Sequence, residues 1–119
     1  MLDDGTPIFQ QLAAQIEKDV LDGTYADEAP VASTTELAAF YRINPATAGK
    51  AVNLLVDRGI LYKRRGVGMF VATGARERLA DHRRARFADE YVRPLVAEAR
   101  ALGIDAAALH HLIEQEDQS

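Results

Sequence analysis

The run "STTELAAFYRINPATAGKAVNLLVDRGIL", residues 33–61, reads as two short helices joined by a tight turn. Ser33 followed by Glu36 is a capping box, in which the hydroxyl accepts the amide hydrogen of the third helical residue and the carboxylate returns to the serine amide. A helix over 34–41 follows, with Leu37, Ala38 and Tyr41 on its buried side. "RIN" makes the turn. Asn44 suits the N-cap and Pro45 is preorganised for the first helical position. The next helix, 45–58, turns Ala48, Ala51, Val52 and Leu55 inward, and Gly59 ends it.

Working outward, "PIFQQLAAQIEKDVLDG" spaces Ile8, Leu12, Ile16 and Val20 four apart, with Phe9, Ala13 and Leu21 widening the stripe, which predicts a helix over 7–22. Pro7 suits its first turn and Gly23 the left-handed position after its last. "TYADEAPVA", 24–32, reads as a loop. From Ile60 the period becomes that of strands: "ILYK", "RRGVG" and "MFVAT" form a hairpin with a basic tip containing Gly66 and Gly68. Helix, helix, turn, helix, hairpin is the order of a winged helix-turn-helix. Beyond Thr73, residues 76–102 read as a long helix carrying Leu79, Phe87, Tyr91, Leu95, Ala99 and Leu102 on one side. Pro94 predicts a kink or break just before it. Gly103 ends the element, Asp105 caps the next, and Leu109, Leu112 and Ile113 give that helix its apolar side; "QEDQS" should fray. The expected fold is mainly α with a small β-hairpin (α+β). A winged helix-turn-helix domain at 1–73 precedes a two-helix region at 74–119.

The chain has 119 residues, 48% hydrophobic and 27% charged, ordinary for a globular domain and too short for large enzyme scaffolds. It has no cysteine, which removes disulfides and thiolate chemistry and fits a reducing cytoplasm. No apolar run is long enough to cross a bilayer, and the start "MLDDG" is acidic where a signal peptide is basic. Net charge is −4, but it is unevenly spread: residues 1–31 carry −6, 32–72 carry +4, 73–93 carry +2 and 94–119 carry −4. An acidic average therefore does not exclude an anionic partner for the middle of the chain.

The region after residue 73 is too small to bury its own apolar stripe. Two-fold pairing with a second copy is the expected solution, through Leu79, Phe87, Tyr91, Leu95, Leu102, Leu109, Leu112 and Ile113. Such a homodimer presents two recognition helices to successive major grooves about 34 Å apart on a palindromic double-stranded DNA site.

The chain resembles the GntR family of bacterial transcription regulators, and within it the short YtrA-like subfamily. The likeness rests on "PIFQQLAAQIEKDVLDG", on the 33–61 run with its "INPATA", similar to the "INPNTV" of YtrA-like members, and on the wing "YKRRGVGMFV". It implies a dimeric repressor that leaves its operator when a small molecule binds the carboxy-terminal region. The chain also departs from the broader pattern "PSERELA": it has "ASTTELA", so Thr35 stands in place of an arginine, and Pro45 and Gly49 occupy further arginine positions.

The remaining DNA-binding candidates are Ser33, Thr34 and Thr35, able to hold a phosphate, and Asn44, Ala46, Thr47, Lys50 and Asn53 on the recognition helix. In the wing they are Lys63, Arg64, Arg65 and Gly66, whose missing side chain permits close approach to a minor groove. Arg84, Phe87, Tyr91 and Leu95, beside Pro94, are candidates for an effector cavity, with ordinary dimer core as the competing reading. His110 and His111 are adjacent, so on a helix they point about 100° apart and do not chelate one metal. No P-loop, nucleophile elbow or paired-carboxylate motif appears; neither a catalytic residue nor a cofactor is expected. A protein-binding winged helix, or an activator on the same scaffold, are the alternatives.

Overall fold

A computed structural model describes residues 5–119; the acidic start, Asp3 and Asp4 included, lies outside the described residues. The described chain divides into two compact units, one ending at Asp81 and one beginning at His82.

The first unit contains α1 (Ile8–Leu21), β1 (Pro30–Val31), α2 (Thr34–Tyr41), α3 (Pro45–Asp57), β2 (Leu61–Arg64), β3 (Gly68–Val71) and the opening turns of α4 (Ala75–Phe87). Pro7 stands at the N-cap, one residue before the first turn it was expected to open, and only its carbonyl engages the helix, accepting from Gln10 N and Gln11 N; the buried stripe is Leu12, Ala13, Ile16 and Val20. Ile8, one turn earlier, is exposed. The capping box is formed: Ser33 Oγ accepts from Glu36 N at 3.1 Å and Glu36 Oε1 accepts from Ser33 N at 3.1 Å. Asn44 Oδ1 accepts from Ala46 N at 2.7 Å and starts α3. Arg42 takes the left-handed conformation (φ 57°) that ends α2, so the turn is reversed by an arginine where glycine is the commoner choice. Ala48, Ala51, Val52 and Leu55 face the core, and α3 packs against both α1 and α2.

Two further features differ from the sequence expectation. Residues 30–31 are a strand: β1 pairs antiparallel with β3, giving a three-stranded sheet of order β1-β3-β2. Two residues are too few to show a period, and a proline in an edge strand leaves no ladder bond unmade. Leu79, expected on the dimer face, is 7% exposed and joins Ala75, Val71, Leu61 and Ile60 in the core of the winged unit. The first turns of α4 therefore complete the winged unit. Arg76 Nε donates to Leu21 O at 2.8 Å, and the Arg78 guanidinium donates to the carbonyls of Thr73 and Gly59.

The second unit contains the rest of α4, a π-helical turn (Ala88–Val92), α5 (Arg93–Ala101) and α6 (Ala106–Asp117). The helix interruption falls just before Pro94, as expected, and takes a specific form. Arg93 N donates to Ala88 O, five residues back, so the helix widens at the point where Pro94 has no N–H to offer and its ring would crowd the preceding turn. Asp105 Oδ1 accepts from Ala108 N at 2.8 Å and caps α6. In this unit Ala99 is buried, while Val96, Ile104 and Leu109 are half-buried. Phe87 (55% exposed), Tyr91 (64%), Val92 (40%), Leu95 (43%), Leu102 (66%), Leu112 (49%) and Ile113 (48%) remain open.

Candidate nucleic-acid interface

Helix α3 buries Ala48 and Ala51 and leaves Ala46, Lys50 and Asn53 exposed, with Thr47 half-buried. These four lie on the polar side that the sequence assigned to DNA. Asn44 spends its side-chain oxygen on the cap and keeps its amide N–H groups to donate. The same holds for Ser33, whose oxygen accepts from Glu36 N while its hydroxyl hydrogen stays available. Thr35 is exposed beside it. Thr34 is half-buried and turns toward α3: its Cγ2 lies 3.7 Å from where a Cβ on Gly49 would stand.

That distance is ordinary van der Waals contact, so Gly49 is not required by space, and its φ is not in the left-handed range. A glycine inside a helix gives up about 1 kcal/mol relative to alanine. Gly49→Ala is expected to raise the melting temperature by about 4 °C, the shift that ~1 kcal/mol produces in a domain of this size. Circular dichroism melts of the two chains would check it; an equal or lower melting point would show that Thr34 cannot accommodate the methyl group.

The wing is built by the register Leu61↔Val71, Tyr62↔Phe70, Lys63↔Met69 and Arg64↔Gly68. Leu61 and Val71 face the core; Tyr62 and Phe70 stack on the other face, with ring centroids 5.9 Å apart. Period-two alternation then puts Lys63 and Arg64 on opposite faces of the ribbon. Arg64 lies over the Phe70 ring, its guanidinium carbon 5.3 Å from the centroid. Arg65 and Val67 flank Gly66 at the tip, where Val67 N donates to Arg64 O at 2.9 Å. Gly66 has φ 76°, which a side chain would strain. The sequence presents the three cations as one block, whereas the sheet splays them over two faces and a tip.

The base of the wing is tied down. Tyr62 Oη and Thr73 Oγ1 both donate to the Glu28 carboxylate, and Gly74 N donates to Asp27 Oδ2 at 2.9 Å. The bond from Tyr62, then that from Thr73, hold the Glu28 carboxyl below its usual pKa, and the same partnership with Glu28 pushes the Tyr62 phenol up.

Two contributors were missed from sequence. Phe9, assigned to the stripe of α1, places its ring under Lys50, with Nζ 4.3 Å from the centroid. Phe70 supports Arg64. The Phe70 contact follows from the hairpin register, since residues 64 and 70 are diagonal neighbours on one face. The Phe9 contact joins positions 41 apart in sequence and has no local signal.

In the second unit, an open groove of about 380 Å³ is lined by Ala88, Val92, Arg93, Val96, Ala97 and Arg100. The effector candidates Arg84, Phe87, Tyr91 and Leu95 do not line it. Phe87 and Tyr91 instead pack on each other, ring centroids 5.6 Å apart. Arg93 pairs with Asp89 at 3.0 Å. Among the described residues no cluster of three or more His, Asp or Glu side chains is placed to hold a metal ion, and no helix is long and apolar enough to cross a membrane.

Residues 8–71 match the profile of bacterial regulatory proteins of the gntR family. The chain is 28% identical over 110 residues to the HTH-type transcriptional repressor YtrA of Bacillus subtilis, covering 92% of this chain and 84% of that protein. Among solved structures it is similar to a putative GntR-family transcriptional regulator from Bacteroides thetaiotaomicron (29% identity, TM-score 0.75, 93% of this chain and 96% of the other). It is also similar to the DNA-binding domain of AraR in complex with operator ORR3 (26% identity, TM-score 0.56, 60% and 87%).

Proposed function

The chain belongs to the gntR family of bacterial regulatory proteins, and on that premise we propose that it is a cytoplasmic, dimeric, sequence-specific DNA-binding repressor that a small molecule releases from its operator. The observation that carries the reading is the joint exposure, in one unit, of a polar recognition edge (Ala46, Lys50, Asn53) and a wing with cations on both faces and at its tip. The edge is suited to base contacts and the wing to phosphates. A DNA-reading domain over residues 1–73, with α4 as its last supporting element, leaves the rest of 74–119 for pairing. Seven of the ten large exposed hydrophobics among the described residues belong to the second unit, which supports a partner there. The groove beside the π-helical turn supports a small-molecule site at Arg93 and Arg100.

Selection of full-length protein against a random-sequence duplex pool tests this. The expected result is a two-fold symmetric site with half-sites about one helical turn apart, bound with an affinity that falls steeply with salt. Failure to enrich any duplex would favour a protein-binding winged helix. A recovered site that raises transcription in a reporter would replace repression with activation.

A further inference from the structure

Lysine is a poor positional reader when free, because its four-carbon stem samples many rotamers and its ammonium is a strongly hydrated point charge. Lys50 is not free. Helix α1 packs on α3, and the first turn of α1 delivers the Phe9 ring to the side of the recognition helix, where the Lys50 ammonium rests 4.3 Å from the ring centroid. Phe9 itself is half-buried against the core formed by Leu12, Leu55 and their neighbours, so the ring is a fixed platform. A cation over an aromatic face is attracted by the ring quadrupole, and the attraction leaves the ammonium N–H groups that point away from the ring available to an anion.

We infer that Phe9 is a positioning residue for DNA recognition, holding the Lys50 ammonium in the place from which it meets a backbone phosphate. This rests on the DNA-binding reading above and adds a residue from outside the helix-turn-helix and wing to its machinery. Lys50 touches DNA, and Phe9 acts through Lys50. The bound rotamer is then largely selected before binding, which lowers the ordering cost of the contact.

The test is a double-mutant cycle on the full chain with a 30-base-pair random-sequence duplex, so that it does not depend on knowing the operator. K50M is expected to weaken binding and lower the slope of log affinity against log salt by about one for each bound protomer. F9L, which keeps an apolar side chain on the core, is expected to weaken binding about two- to fivefold, and F9Y, which keeps the ring face, to restore it. In the K50M background F9L should have no further effect. In the free protein, the Lys50 side-chain methylene protons should show upfield ring-current shifts that vanish in F9L and persist in F9Y. An equal F9L loss in both backgrounds, or unshifted Lys50 resonances, would overturn the inference while leaving DNA binding intact. Absence of any duplex binding by the unaltered chain at low salt would instead overturn the DNA-binding reading beneath it.

Discussion

Leu95→Asp combined with Ile113→Asp is expected to leave a monomer at micromolar concentration and to weaken operator binding by at least about a hundredfold. Both side chains are roughly half exposed in the single chain, so the change removes little packing within it. In a two-fold pair the same positions lie in the apolar face, where an unpaired buried carboxylate costs about 3–5 kcal/mol, and symmetry imposes each one twice. Operator affinity falls for a separate reason. With two half-sites joined in one molecule, binding to the second is intramolecular, and removing that linkage costs roughly 10²–10⁴ in avidity. Sedimentation velocity measures the first effect and a duplex titration the second. The winged unit should keep its melting transition, since its core reaches only as far as Leu79. A variant that remains dimeric would show that pairing uses another surface.

The region most legible in the sequence was the helix-turn-helix, because its signals are local. Ser33 with Glu36, Asn44 with Pro45, and the inward residues of α3, each within three positions of the next, are signals of this kind, and each stands where expected. What escaped was set by packing between distant segments. β1 exists only because β3 offers it a ladder, and nothing in Pro30 or Val31 alone requires a strand. Leu79 falls in register with the stripe of the long helix, yet the first turns of α4 are claimed by the winged core, a claim written in Ile60, Leu61 and Val71 rather than in α4. Pro94 announced an interruption but not its form; the π-helical turn depends on Arg93 finding the carbonyl of Ala88. In the wing, residue types were legible and their faces were not. Lys63, Arg64 and Arg65 are one block in the sequence and a divided set in the sheet, since strand alternation acts only once β2 is paired with β3.

That division leads to the second large effect. A ribbon with cations on one face suits a single phosphate strand, whereas a groove has two walls, each lined by phosphates. Lys63 on one face of the wing and Arg64 on the other would match both walls, and Arg65 at the tip, beside the bare backbone of Gly66, would reach the floor. The triple variant Lys63→Gln, Arg64→Gln, Arg65→Gln is therefore expected to reduce operator affinity by roughly a hundredfold or more at physiological salt, and to lower the salt slope by about one for each phosphate that a wing no longer neutralises. If the wing enters a groove, K63Q and R64Q alone should each flatten the slope, and their effects should add, because the residues serve different strands and share no partner. If the wing lies along one strand, only one of the two should matter. The stack of Tyr62 on Phe70 and the hydrogen bonds to Glu28 keep the ribbon folded without these cations, so the melting temperature of the triple variant should stay close to that of the unaltered chain. Titrations of one duplex at four salt concentrations separate the cases, and a triple variant with unchanged affinity and slope would remove the wing from the interface.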